Sequence, residues 1–145
     1  MALGSHVPEW TALAQSLNHL TERACADNAI VVDAWGHLWC RARPFSEAEP
    51  RWVLDLAKRI TAAAEPPLPR GGRVDTHEPS GRVRWYARSF AGVYVVVLLY
   101  GQPFDPSHAR IRVHEALPEL EALTIALPPP DGPDATSGVG RQRTS

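Results

Sequence analysis

Cysteine, net charge, lysine and long apolar runs are all scarce in this chain, and each scarcity closes off a class of function. There are two cysteines, Cys25 and Cys40, without the paired spacing of a zinc site or the density of a disulfide-stapled secreted domain. They fall on a predicted helix end and a predicted strand, so both are expected to be buried free thiols. A formal net charge of −1 gives no general attraction to nucleic acid or anionic lipid and leaves partner choice to surface shape. No apolar stretch approaches the roughly 20 residues that span a bilayer, and the N-terminus lacks the basic start and apolar core of a signal peptide. A cytoplasmic location with no membrane partner is therefore expected. No Gly-rich phosphate loop, nucleophile elbow or paired-cysteine motif occurs, so nothing points to catalysis, a metal or a cofactor. Lys58 is the single lysine among 15 basic residues, which together with abundant Ala and Pro suggests a GC-rich, bacterial coding sequence.

What is present starts with Val93–Tyr100, a run with no charge and no polar–apolar alternation. It reads as a strand buried on both faces, and such a strand needs packing partners above and below its sheet. At 145 residues the chain is long enough for one such core and too short for two.

The elements around that strand are set by periodicity. Trp10, Leu13, Leu17, Leu20 and Ala24 predict an amphipathic helix over 8–26, with Pro8 suited to its first turn. Ala29–Val32, the turn Asp33-Ala34-Trp35-Gly36 and His37–Ala42 predict a hairpin in which Asp33 bonds back to the turn and Gly36 takes a left-handed conformation. In its second strand, alternation puts Leu38, Cys40 and Ala42 on one face and His37, Trp39 and Arg41 on the other. A second helix over 47–64 buries Val53, Leu56, Ala57, Ile60 and Ala63, with Ser46 and Glu49 resembling a capping box. A short strand over 73–77 and an alternating strand over 82–90 precede the central one. In the latter Val83, Trp85 and Ala87 oppose Arg84, Tyr86 and Arg88. A last helix over 106–127 carries Ala109, Val113, Ala116, Leu120, Leu123 and Leu127, and Pro118 is expected to kink or split it.

The fold class is therefore α+β, in the order αββαβββα. The two most apolar strands, the first and the last, should lie side by side in a five-stranded antiparallel sheet with one helix on one face and two on the other. Residues 1–7 are expected to be flexible, 8–127 to form the domain, and 128–145 to be a disordered tail, since Pro128–Pro133 and the polar residues after it have almost nothing to bury.

Several polar groups are candidates for chemistry. Asp75, His77 and Glu78 could ligate a metal, but alternation on a strand ahead of Pro79 explains them as well, and that account is preferred. His108 and His114, beside Arg110 and Arg112, read as a solvated helix face. Arg82, Arg84 and Arg88 interleave with Trp85 and Tyr86 as in single-strand nucleic acid binders, yet the near-neutral charge favours packing of the arginine stems over one sheet face.

This order, with the hairpin Ile30-Val31-Val32-Asp33-Ala34-Trp35-Gly36 and the ending Tyr94–Tyr100 before a final helix, resembles the Roadblock/LC7 family over about residues 9–127. The resemblance implies a small non-enzymatic homodimer or heterodimer that binds a Ras-like GTPase or another Roadblock protein, as an adaptor or regulator in a bacterial polarity or motility pathway. It implies that the second helix and a neighbouring edge strand form the dimer and its partner surface, which places Arg51, Trp52, Asp55, Lys58 and Arg59 there. The dimer edge is then the short polar strand containing Val74, Asp75 and Thr76. The alternative of another class is a PAS, GAF or profilin-like ligand sensor, which would need an enclosed cavity.

A chain ending at Pro130 should melt at nearly the temperature of the full chain, within the roughly 0.5 kcal/mol that surface changes produce. A large drop in calorimetry would contradict the tail assignment.

Overall fold

The computed structural model describes residues 8–46 and 50–125. Glu47, Glu49, Leu127, the segment 1–7 and the tail from 128 lie outside the described residues, and with them Glu49 of the expected capping box; the second helix begins at Arg51, later than the expected 47, because Pro50 before it is extended.

The central strand, β5 (Tyr94–Tyr100), is buried along its length except at Tyr100. It pairs antiparallel with β1 (Asn28–Asp33), from Asn28 opposite Leu99 to Asp33 opposite Tyr94. On its other side lies β4 (Arg84–Phe90), then β3 (Asp75–Glu78), while β2 (Leu38–Arg41) flanks β1. The order is β2-β1-β5-β4-β3, antiparallel throughout, with the two most apolar strands in the middle as the sequence predicts.

Pleating divides the apolar side chains between two layers. Val31, Tyr86, Tyr94, Val96 and Leu98 meet Leu13, Leu17 and Leu20 of α1 (Pro8–Arg23) and Ala109, Val113 and Leu120 of α3 (Pro106–Ile125). Ile30, Val32, Ala87, Val95, Val97 and Leu99 meet Val53, Leu56, Ala57 and Ile60 of α2 (Arg51–Ala62). With about 1.5–3 kcal/mol for each large side chain buried, both layers are needed to offset the entropy of ordering the chain.

The first hairpin closes on Asp33, whose side chain is fully buried. Its Oδ1 accepts the backbone N–H groups of Trp35 and His37, each at 2.9 Å. Its Oδ2 accepts His37 Nδ1 at 3.0 Å and the Trp39 indole at 2.8 Å, and because a carboxylate only accepts, Nδ1 carries the proton. Gly36 is left-handed, with φ of 85°. A Cβ there would stand 2.8 Å from Lys58 Cγ, so glycine also permits the close approach of the hairpin to α2.

Four expectations are corrected. A bulge opposite Val31 and Val32 interrupts the alternation of β2: Cys40 and Ala42 stay on the α1–α3 side, Trp39 joins them there against Tyr94, and Leu38 turns to the α2 side. Cys25 is a free but exposed thiol. It is the left-handed residue that ends α1, with φ of 57°, its N–H bonded to Glu22 and the next N–H, of Ala26, to Thr21, and this reversal turns its side chain outward. Cys40 is free and half-buried, and burial pushes its thiol up to about 11. Finally, α3 runs unbroken through Pro118. Pro118 and His114 are both exposed, so the carbonyl that loses its helical donor can be hydrated.

Val96, fully buried in the α1–α3 layer, gives a direct test. Val96→Asp should cost more than about 4 kcal/mol by placing an unpaired carboxylate in the centre of the sheet. Circular dichroism should show no cooperative melt at room temperature and above.

Candidate interaction surface

Helix α2 buries one stripe and presents another. At 3.6 residues per turn, Arg51, Trp52, Asp55, Lys58 and Arg59 share an arc of about 120° opposite Val53, Leu56, Ala57 and Ile60. All five are exposed, and among the described residues none of their charges is in a salt bridge. Trp52 is 45% exposed and held edge-on against Phe45, with ring centroids 6.1 Å apart at 88°. Such a partly ordered aromatic among charges loses little rotamer freedom on contact. The stem of Lys58 is braced by the hairpin at Gly36.

The three residues of the expected dimer edge lie on or beside β3, and one of them does not stand as expected. Asp75 and Thr76 stand on β3, an edge strand exposed at all four positions. Val74 precedes the strand and faces inward: its side chain is buried in the α2 layer, its N–H donates to Ser89 Oγ at 2.8 Å, and its carbonyl accepts the Ser89 N–H at 2.8 Å. Val74 therefore offers no donor to a partner. Antiparallel ladders alternate residues that bond inward with residues that bond outward. With Val74 inward, Thr76 and Glu78 also face β4, and the N–H and C=O groups of Asp75 and His77 point away from the sheet.

Asp75 is fixed from the α3 side. Tyr86 donates its hydroxyl at 2.7 Å, and Arg110 reaches the same carboxylate at 3.2–3.3 Å while its guanidinium lies 5.7 Å from the Tyr86 ring centre. Partial burial works against the charged carboxylate, but the Tyr86 and Arg110 bonds outweigh it and hold Asp75 below its usual range. Burial, then the neighbouring carboxylate, pushes the Tyr86 hydroxyl up to about 12. The link spans 35 residues, and no local pattern around Arg110 could have revealed it.

The remaining candidates separate. Tyr86 is fully buried and Trp85 lies on the α2 side, opposite Arg84 and Arg88, so the Arg–aromatic strand has no stacking platform for bases. Arg84 bonds the Gly101 carbonyl at 3.0 Å, and Arg82 is exposed. Asp75 and His77 share one face of β3 while Glu78 takes the other, and among the described residues no cluster of three or more His, Cys, Asp or Glu is placed to hold a metal. His114 is solvated, whereas His108 is half-buried with its Nε2 enclosed, because it sits at the sheet-facing edge of α3 next to Ala109. Among the described residues no helix is long and apolar enough to cross a membrane.

The sign of the Asp75 shift fixes a pH dependence. A depressed carboxylate stabilises the fold above its unfolded value of about 3.9, and that stabilisation disappears as pH falls through the folded value. Asp75→Asn should lower stability at pH 7 by at most about 1 kcal/mol, since both partners are substantially exposed. In denaturant titrations the gap between the two proteins should close below about pH 4. A constant gap down to about pH 3 would show that the charge of Asp75 contributes nothing.

No protein-family model matches the chain, and no curated protein does. Solved structures do. Myxococcus xanthus MglB superposes with a TM-score of 0.64 at 18% identity, covering 86% of this chain and 96% of its own. The gliding protein MglB of Thermus thermophilus gives 0.64 at 14% identity, covering 81% and 91%. A third MglB structure, with a tetrameric arrangement, gives 0.59 at 14% identity, covering 81% and 90%. At these identities the likeness establishes the fold, and that fold is the Roadblock/LC7 arrangement which the element order and the Ile30–Gly36 hairpin resemble.

Proposed function

We infer that this chain is a dimeric, non-enzymatic adaptor or regulator in a bacterial Ras-like GTPase pathway of the polarity or motility type, contacting the GTPase or another Roadblock protein. The observation that carries this reading is the conjunction, in an MglB-like fold, of an unpaired β3 edge with the charged and aromatic outer face of α2. An open edge serves self-association, and a helix face with one braced tryptophan among charges serves recognition. One of the fold neighbours is a gliding protein, which supports the motility setting. The role assigned to Arg51, Trp52, Asp55, Lys58 and Arg59, and the domain limits 8–127, belong to the same proposal.

The sensor alternative is less well supported. It requires an enclosed chamber between sheet and helices, whereas both layers are filled by tightly buried apolar side chains. A groove of about 570 Å³ between the 68–74 segment, the β4–β5 turn and α3 is an open, largely polar surface feature and not an enclosed chamber.

Light scattering at tens of micromolar should give a dimer mass; a monomer mass would remove the dimer. The purified chain should bind a Ras-like GTPase, or a second Roadblock protein that does, without hydrolysing nucleotide itself. Trp52→Ala with Arg59→Ala should weaken that binding about thirtyfold, equivalent to about 2 kcal/mol, with the dimer intact. Unchanged affinity would move the contact off α2, and a tightly held small molecule with no protein partner would favour the sensor.

A further inference from the structure

We propose that the outer face of α3 is a contact between copies of this chain, separate from the β3 edge, in which the α3 helices of two copies pair antiparallel about a two-fold axis beside Pro118. The inference goes beyond the adaptor reading and does not depend on it.

Helix α3 is apolar on two opposite sides. Ala109, Val113 and Leu120 form the stripe buried in the α1–α3 layer. At 3.6 residues per turn, Ile111, Pro118, Ala122 and Ile125 fall within an arc of about 60° on the other side. All four are exposed, Ile111 by 54% and Ile125 by 83%. Together with Trp52, these isoleucines are the exposed large hydrophobics among the described residues. A helix that faces water carries its charge along the middle of its outer face, whereas here the charges stand on the flanks of an apolar line.

The arrangement of that line selects a second copy as its cover. Ile111, Pro118 and Ile125 recur at intervals of seven, so the line reads alike from either end. A two-fold axis beside Pro118 therefore sets Ile111 of each copy on Ile125 of the other. Charge fixes the direction. Up to His114 the helix carries His108, Arg110, Arg112 and His114 and no acidic residue; from Glu115 onward it carries Glu115, Glu119 and Glu121 and no basic one. Antiparallel pairing lays the basic half of one copy over the acidic half of the other, whereas parallel pairing sets like against like. Arg110 and Arg112 are already held by Asp75 and Glu115. His114 and Glu121 share one flank of the apolar line, are in no salt bridge among the described residues, and meet across the antiparallel interface. An anionic lipid surface fits the same face poorly, because half of it is acidic. A single helix pair lies at the small end of specific interfaces, so this contact forms at hundreds of micromolar rather than tens.

Disulfide mapping tests the pairing. Ile111→Cys and Ile125→Cys would be made separately in a Cys25→Ser background, because Cys25 is exposed, with half-buried Cys40 left in place. In the antiparallel pair the two copies of position 111 lie about 21 Å apart along the helix, as do the two copies of position 125, beyond disulfide reach. Position 111 of one copy faces position 125 of the other, and on helices with axes about 8–10 Å apart such facing Cα atoms come within about 7 Å. Mild oxidation at hundreds of micromolar should link an equimolar mixture of the two variants and leave each variant alone unlinked. Linking of either variant alone, or an unlinked mixture, would overturn the pairing. In sedimentation equilibrium, Ile111→Glu should weaken the association at least about tenfold without changing the melting temperature, since the site is exposed. Association unaffected by this change would also overturn the proposal. Loss of the dimer present at tens of micromolar would instead show that α3 makes that dimer, which upholds this contact and removes the β3 edge from it. An unlinked mixture together with Ile111-dependent binding to phosphatidylglycerol vesicles would give the face to a membrane surface and overturn the second copy.

Discussion

Two-sided burial of β5 is the constraint on which the rest of the molecule depends. A strand that puts Val96 and Leu98 on one face and Val95, Val97 and Leu99 on the other is stable only inside a three-layer sandwich. β1 can share the centre because all its residues are buried too. The hairpin and the β3–β4–β5 meander then fall outside this pair, and the helices have no choice but to divide between the faces. Since the interior is committed almost entirely to apolar packing, a partner would have to use the outer faces of the helices and the edges of the sheet.

Much of this was legible in the sequence because it depends on periodicity. Strand order, the division of helices, the opposition of Val83, Trp85 and Ala87 to Tyr86, and the turn at Asp33 and Gly36 all arise from two repeats and a few turn residues. What was not legible depends on one residue out of step or on contacts far apart in the chain. One extra residue in β2 sends Leu38 and Trp39 to faces that strict alternation assigns the other way. Cys25 stands where glycine commonly ends a helix, and no pattern announces a left-handed cysteine. Val74 belongs to the polar segment by sequence but is drawn inward by Ser89, fifteen residues away. The α2 stripe was visible, whereas its braces, Phe45 and Gly36, are tertiary.

The edge strand is more than a margin of the sheet. Asp75 ties it through Arg110 to α3, and α3 is tied in turn to α1, where Glu115 accepts Arg23 at 2.9 Å and Arg112 at 2.8 Å. These pairs are exposed and individually weak, so they orient the elements more than they hold them. Arg112 and Arg23 together keep the Glu115 carboxylate below its ordinary range. Anything that docks on β3 thereby touches polar contacts that lead through α3 to α1, within one helical layer.

The buried Asp33 has a consequence for misfolding. Its four donors come from residues within six positions, and one of them, the Trp39 indole, belongs to the extra residue of the bulge. A slip of one residue between β1 and β2 would carry the Trp39 indole away from the buried carboxylate and leave it short of a donor, a penalty of about 1–3 kcal/mol against a domain stability of about 5–15 kcal/mol. The carboxylate thus acts as a checksum on strand alignment: it rejects near-miss pairings that hydrophobic burial alone would tolerate, and it discourages this margin of the sheet from exchanging strands with a neighbouring molecule.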